Sequence, residues 1–161
     1  MRLIAAADEA WGIGQGGALL YHTRADMARV KALTMGHVLL MGGKTFRSLP
    51  GLLLGRVHVV LTRTPGQDSD RLRYCTTPEG ARALLSEYPA QEHFLFGGGE
   101  IYRLFLADCT RADITRYAGT RPADTYLPRL DTLPDWRQIT RSPWQIEGGL
   151  RFCFETWKIR C

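Results

Sequence analysis

The stretch Phe94-Leu95-Phe96-Gly97-Gly98-Gly99-Glu100-Ile101-Tyr102 constrains this chain more than any other, because an apolar strand pattern meets three consecutive glycines and then a helical pattern. Glycine adopts backbone dihedrals closed to other residues and lets a ligand approach the main chain, while a following helix directs free N–H groups outward. The junction suits a phosphate group; a tight turn that binds nothing satisfies the same pattern. The run lacks the G-x-G-x-x-G spacing of the dinucleotide fingerprint, so it does not support an ordinary Rossmann domain.

Other short apolar or β-branched runs read as strands: Leu3 to Ala7, Val38 to Met41, Val57 to Leu61, Leu72 to Cys75 and Ile114 to Tyr117, alongside Phe94 to Phe96. Helical patterns fall between several of them, from Arg24 to Leu33, Lys44 to Ser48, Pro78 to Glu87 and Glu100 to Leu106. This alternation predicts an α/β layered domain with a largely parallel sheet and right-handed crossovers. After Leu133 the pattern changes: residues around Trp136 to Thr140 and Leu150 to Ile159 read as two strands joined through Ser142 to Gly149, an antiparallel finish.

The length of 161 residues fits one domain with one substantial core, and a composition 45% hydrophobic and 23% charged excludes disordered and collagen-like classes. The N-terminal apolar run is too short for a signal-peptide core and nothing approaches a membrane span, so a cytoplasmic address is expected by default. Cys75, Cys109, Cys153 and Cys161 lie far apart without metal-site spacing and read as reduced thiols. The formal charge of +5 is dispersed, which gives no nucleic-acid footprint; small anionic ligands or chance account for it.

Open α/β sheets bind ligands at the carboxyl ends of their strands, and a second such end is glycine-rich: Val38 to Met41 runs into Gly42-Gly43-Lys44-Thr45. A P-loop would need a glycine at position 38, where valine stands inside the strand, so kinase and ATPase readings fail. A second N–H cradle with Lys44 and the Thr45 hydroxyl survives, suited to phosphate. Asp26 carries two readings. Thr23 and Asp26 are spaced as a capping box, yet Val30 and Leu33 follow Asp26 by four and seven residues and set its carboxylate on an apolar stripe, where burial would raise its pKa. Arg56, after Gly55, is either a solvated surface charge or a bidentate carboxylate clamp. His22 has no partner in sequence and receives no role.

Taken in order, Trp11-Gly12-Ile13-Gly14, the segment holding Asp26, Met41-Gly42-Gly43-Lys44-Thr45-Phe46, Leu53-Leu54-Gly55-Arg56, Leu61-Thr62-Arg63, Phe96-Gly97-Gly98-Gly99-Glu100-Ile101-Tyr102, Ile114-Thr115-Arg116, Asp124-Thr125-Tyr126-Leu127-Pro128 and Phe154-Glu155-Thr156-Trp157 resemble dihydrofolate reductases of the bacterial chromosomal type over essentially the whole chain. The resemblance implies a single domain over residues 1–161, α/β, with an eight-stranded mostly parallel mixed sheet, an antiparallel C-terminal strand pair and four flanking helices. It implies reduction of 7,8-dihydrofolate to tetrahydrofolate by NADPH, with antifolates as inhibitors and neither nucleic acid nor membrane as partner. A monomer is expected, since no long exposed apolar helix is evident.

By the same resemblance Asp26 would bind the pterin and promote its protonation, Thr115 would steady Asp26, Leu19 falls in the mobile loop that closes over the nicotinamide, and Tyr21 stands where a tryptophan helps order a pterin-linked water. Ala6, Met27, Val30, Leu49 and Leu53 match pocket positions, and Arg56 the clamp on the substrate's glutamate tail. Ala7, Ile13, Gly14, Gly42, Gly43, Lys44, Thr45, Leu61, Thr62, Arg63, Phe96, Gly97, Gly98, Gly99, Glu100, Ile101, Tyr102 and Thr125 match cofactor positions, with a cis peptide between Gly97 and Gly98. No metal is implied. Several residues depart from the family pattern. Leu20-Tyr21 replaces the usual Pro-Trp, Arg24 a proline, Val30 a larger apolar residue and Ala123 a glycine. Gly43 stands where an arginine often grips the cofactor's 2'-phosphate, which leaves Arg63 and Lys44 for that task. Leu20, Tyr21 and Val30 together predict altered antifolate sensitivity. Two alternatives stand beside this reading: a related reductase of riboflavin synthesis, against which Asp26 and Arg56 argue, and a nucleotide-binding module without catalysis.

Overall fold

In the computed structural model, which describes residues 1–160, strands and helices follow the predicted alternation. In chain order they are β1 (Arg2–Asp8), β2 (Gly12–Gln15), β3 (Ala18–Leu19), α1 (Arg24–Thr34), β4 (Val38–Gly42), α2 (Gly43–Ser48), β5 (Val57–Leu61) and β6 (Leu72–Cys75). There follow α3 (Pro78–Ser86), β7 (His93–Gly97), α4 (Gly99–Phe105), β8 (Arg111–Tyr117), β9 (Thr125–Tyr126), β10 (Trp136–Arg141), β11 (Gln145–Glu147) and β12 (Leu150–Ile159). Cys161 lies outside the described residues, and the other three cysteines are buried and unbridged.

The main sheet has the order β10-β12-β8-β1-β7-β4-β5-β6. From β8 to β6 every pairing is parallel, and β12 and β10 close the sheet antiparallel, as the C-terminal pattern predicted. Parallel strands are covered on both faces, which is why Val38 to Met41 are all fully buried. Two features go beyond the sequence reading. The short β11 pairs with β12 inside the connection read as a loop, and β3-β2-β9 form a small second sheet.

Strand β8 begins three residues before the predicted Ile114, for an electrostatic reason. Asp113 is 1% exposed, a position where an acid is tolerated only when paired, and Arg2 from β1 approaches it at 2.7 Å with Arg111 at 3.4 Å. A second buried network ties β8, β12 and β1 on the opposite face. Arg116 meets Glu155 at 3.1 Å, donates to the Asp8 carbonyl oxygen at 2.6 Å and lies 4.0 Å over the Trp11 ring, while Trp157 Nε1 donates to Glu155 at 2.9 Å. Removing the charge of Glu155 leaves this guanidinium uncompensated. Glu155→Gln is expected to lose on the order of 3 kcal/mol of stability in urea unfolding; a change under about 0.5 kcal/mol would show the pair to be energetically idle.

Candidate active site

The first turn of α1 sets Asp26. Thr23 caps the helix, its Oγ1 accepting the Asp26 N–H at 3.2 Å, and the Thr23 hydroxyl also meets the Tyr117 hydroxyl at 2.7 Å. Glu147 satisfies the next free donors, accepting from the backbone of Arg24 at 2.6 Å and Ala25 at 3.1 Å. Half of the predicted capping box is therefore present. The other half is not: the Asp26 carboxylate does not return to the helix terminus but accepts the Thr115 hydroxyl, from β8, at 2.6 Å.

Burial raises the Asp26 pKa above the ordinary carboxyl value, opposed by the Thr115 hydrogen bond and by the charges of Arg29 and His22. Arg29 does not neutralise it by contact. Its guanidinium lies 3.7 Å from Asp113 and 4.5 Å over the Phe154 ring, and donates to the Ile114 carbonyl oxygen at 3.4 Å. The stripe predicted on α1 packs as expected: Val30 and Leu33, with Phe46, Leu49 and Leu53, cover a cluster of Ile4, Leu39, Met41, Val60 and Phe94. Ala6 on β1 stands in register with Thr115. Met27 is 55% exposed and Leu19, on β3, 70% exposed, large apolar side chains left facing solvent. Tyr21 is buried, stacked 4.6 Å from Tyr117, and its hydroxyl donates to Asp8 at 3.0 Å and not to Asp26. Burial and the Asp8 hydrogen bond push its pKa up to about 12, so it is a fixed donor.

Arg56 is 7% exposed, which rules out a solvated surface charge. Its Nε donates to the Leu54 carbonyl oxygen at 3.0 Å and Nη1 to the Thr34 hydroxyl at 3.3 Å, and among the described residues it meets no carboxylate. Desolvation lowers its pKa, the mark of a cation held without a counter-charge.

The two glycine junctions adjoin. Met41 is paired with Gly97, a Cβ on Gly42 would come within 3.1 Å of Ile101, and one on Gly98 within 3.6 Å of the Thr45 hydroxyl. The expected cis peptide joins Gly97 and Gly98. A Cβ on Gly99 would stand 2.6 Å from Thr125, so only glycine fits there. Tyr102 faces Gly97 and anchors α4 by donating to the Ile4 carbonyl oxygen at 2.7 Å. Neither Gly42 nor Gly98 is capped by a side chain. Ile13 and Gly14 on β2 lie against β9, where Gly14 pairs with Thr125, and Ala7 is fully buried in β1. Leu61 ends β5 and Thr62 follows it, Phe96 is half-buried, and Lys44, Arg63 and Glu100 are exposed.

Beside Gly43 lies a cavity of about 220 Å³ lined by Gly43, Phe46, Arg47, Val60, Thr62, Thr64, Gly66 and Tyr74. Neither Lys44 nor Arg63 lines it. Arg47 was not foreseen; it follows Gly43 by one helical turn, and a Cβ on Gly43 would come 3.0 Å from its Nη1 and 2.9 Å from Thr62 Oγ1. The i, i+4 spacing from a glycine without a side chain is the signal that could have found it. A second cavity, of about 260 Å³, opens beside Met1, Arg2 and Thr110 and contains none of the predicted residues. Among the described residues no three His, Cys, Asp or Glu side chains converge as a metal site.

The family model described as dihydrofolate reductase matches residues 1–158. The type 9 dihydrofolate reductase of Escherichia coli is 32% identical over 98% of this chain and 92% of its own length. The dihydrofolate reductase of Neisseria meningitidis serogroup B is 32% identical over 94% of this chain and 93% of its own. A bifunctional dihydrofolate reductase-thymidylate synthase of Arabidopsis thaliana is 31% identical over 97% of this chain, which spans 34% of that longer protein. The chain belongs to the dihydrofolate reductase family.

A raised carboxyl pKa has a thermodynamic consequence. Because Asp26 binds its proton more tightly in the fold than in the unfolded chain, its contribution favours folding below the ordinary carboxyl pKa of about 3.9 and is lost as pH rises through the higher folded value. Asp26→Asn is expected to melt above the parent at about pH 8, the difference closing near about pH 4. Calorimetry across that range checks it, and an equal or lower melting temperature at the alkaline end would contradict it.

Proposed function

We propose that this protein reduces 7,8-dihydrofolate to 5,6,7,8-tetrahydrofolate with NADPH, and that Asp26 is the proton-promoting carboxylate. The observation that carries this reading is the Asp26 carboxylate, half-buried at a helix start, held at 2.6 Å by Thr115 and free of any ion pair among the described residues. NADPH, when bound, supplies a hydride. The pterin carbon–nitrogen double bond also needs a proton, and a carboxyl group whose pKa is raised by desolvation is suited to promote its delivery near neutral pH. Asp26 would bind the pterin amino group and ring nitrogen, and the Thr115 hydroxyl would fix the carboxylate's orientation. Ala6, Met27, Val30, Leu49 and Leu53 would enclose the pterin and its neighbouring ring. Arg56, a buried guanidinium without a carboxylate partner, is suited to clamp the tail carboxylate.

The cofactor residues fit their ligand. Three contiguous glycines, one of them pressed against Thr125, leave main chain open to close approach, and Leu19 would close over the nicotinamide. For the 2'-phosphate, Arg47 with the Thr62 and Thr64 hydroxyls offers a cation and neutral donors in a cavity without any lining carboxylate. Lys44 and Arg63, exposed and outside that lining, stand as the other candidates for this contact. Antifolates would compete for the same cleft, with Leu20, Tyr21 and Val30 altering their fit. We take the protein to act in the cytoplasm as a monomer of one domain; no described helix is long and apolar enough to cross a membrane.

The purified protein is expected to oxidise NADPH only when dihydrofolate is present, with kcat falling as pH rises through the raised Asp26 pKa. Asp26→Asn should reduce kcat at neutral pH by about 10²-fold or more. Absence of turnover at high protein concentration would overturn the proposal. Arg47→Gln is expected to weaken NADPH binding about tenfold while leaving the NADH dissociation constant unchanged; equal effects on both, measured by fluorescence titration, would remove Arg47 from the phosphate site.

A further inference from the structure

His58, on β5, is 0% exposed, and the function proposed above assigns it no part. The Leu53 backbone N–H donates to its Nε2 at 3.1 Å. A backbone N–H can only donate, so Nε2 carries no proton and the ring is neutral, with its hydrogen on Nδ1, 3.4 Å from the Arg71 carbonyl oxygen. Leu39 and Leu72 are its strand neighbours, and the Phe46 ring stands edge-on at 6.3 Å. The charged groups bearing on it are Arg56, in the loop it supports, and Arg71, ahead of β6; no carboxylate is among them.

The bond to Leu53 matters because of what it holds. Among the described residues it is the only hydrogen bond that the main chain donates between Pro50 and Leu54. Two residues further on, Gly55 is fixed by the Gly36 N–H at 2.8 Å. Arg56 then folds back on Leu54 and on the Thr34 hydroxyl. The aim of the Arg56 guanidinium therefore depends on where the Leu53–Leu54 segment sits.

We propose that His58 is a positioning residue for the substrate's carboxylate tail: its neutral Nε2 holds Leu53, and thereby Arg56, in the clamping geometry, and protonation at Nε2 releases the segment. This rests on the reading of Arg56 as the tail clamp. A protonated Nε2 would set an N–H against the Leu53 N–H, donor against donor, so the hydrogen bond is lost and the loop must move. Burial pushes the His58 pKa below the ordinary histidine value, and the charges of Arg56 and Arg71 push the same way, against the carbonyl oxygens of Arg71 and Arg56, which favour the charged ring. The neutral form therefore prevails at neutral pH. Its contribution is complete above the ordinary value of about 6.5 and is lost as pH falls through the lower folded value.

The test compares folic acid with 6-methylpterin, which lacks the tail, by fluorescence titration from about pH 8 down through the His58 titration. Asp26 titration acts on both ligands, so their affinity ratio isolates the tail. In the parent protein the ratio is expected to fall about five- to tenfold as the His58 ring resonances report its protonation, and a ratio unchanged across that step would overturn the proposal. His58→Gln supplies an acceptor that does not titrate and should hold the high ratio throughout; His58→Leu, without an acceptor, should show the low ratio at every pH. In the ligand-free protein the Leu53 amide resonance should follow the His58 titration, and in His58→Gln it should not move. Parallel weakening of both ligands, an acid loss that persists in His58→Gln, or a Leu53 amide indifferent to His58 would overturn the proposal. Failure of the parent to bind either ligand would instead reject the proposed function, and the Leu53 amide would still decide the coupling.

Discussion

A carboxylate withdrawn from water without a cation in contact is the condition around which this structure is arranged. Asp26 could be stabilised cheaply by an ion pair, and an arginine is available three residues along the same helix. The fold instead directs Arg29 to Asp113, to a carbonyl oxygen of β8 and to the face of Phe154. Thr115 then supplies a hydrogen bond that orients the carboxylate without cancelling its charge. The outcome is a group that gains a proton more readily than a surface acid, at some cost to stability when it is ionised.

The same logic extends to the flanking sites. Arg56 is buried without a carboxylate, and Arg47 makes no ion pair among the described residues. By contrast Arg2 and Arg116, which are structural, meet Asp113 and Glu155 at close range. Arg2 and Arg116 hold the sheet together, and under the proposed function Arg56 and Arg47 would meet anions of the ligands. Parallel pairing across β8, β1, β7 and β4 brings the relevant strand ends to one edge, where the two glycine junctions meet.

Much of this was legible in the sequence, and what was not has identifiable causes. Buried parallel strands announce themselves as apolar runs, so Val38 to Met41 and Phe94 to Phe96 were read directly. The charged start of β8 concealed itself because Asp113 belongs in a core only beside Arg2, a residue 111 positions away. Thr23 and Asp26 looked like a reciprocal cap because local spacing describes the helix alone; the carboxylate's real partner, Thr115, lies on a distant strand. Family likeness named that pair, and the geometry gives the physical reason for it. It could not name Arg47 or His58, whose significance depends on the space beside Gly43 and on the path of the Leu53 main chain.

Desolvation, checked by the Thr115 hydrogen bond, sets the protonation of Asp26. Difference infrared spectroscopy of the carboxyl band in the ligand-free protein, with Asp26→Asn as the blank, measures it directly. The expected Asp26 pKa lies above the ordinary carboxyl value, and is displaced further upward in Thr115→Val, where the opposing hydrogen bond is gone. A pKa at or below the ordinary value, or a Thr115→Val variant that titrates unchanged, would contradict it.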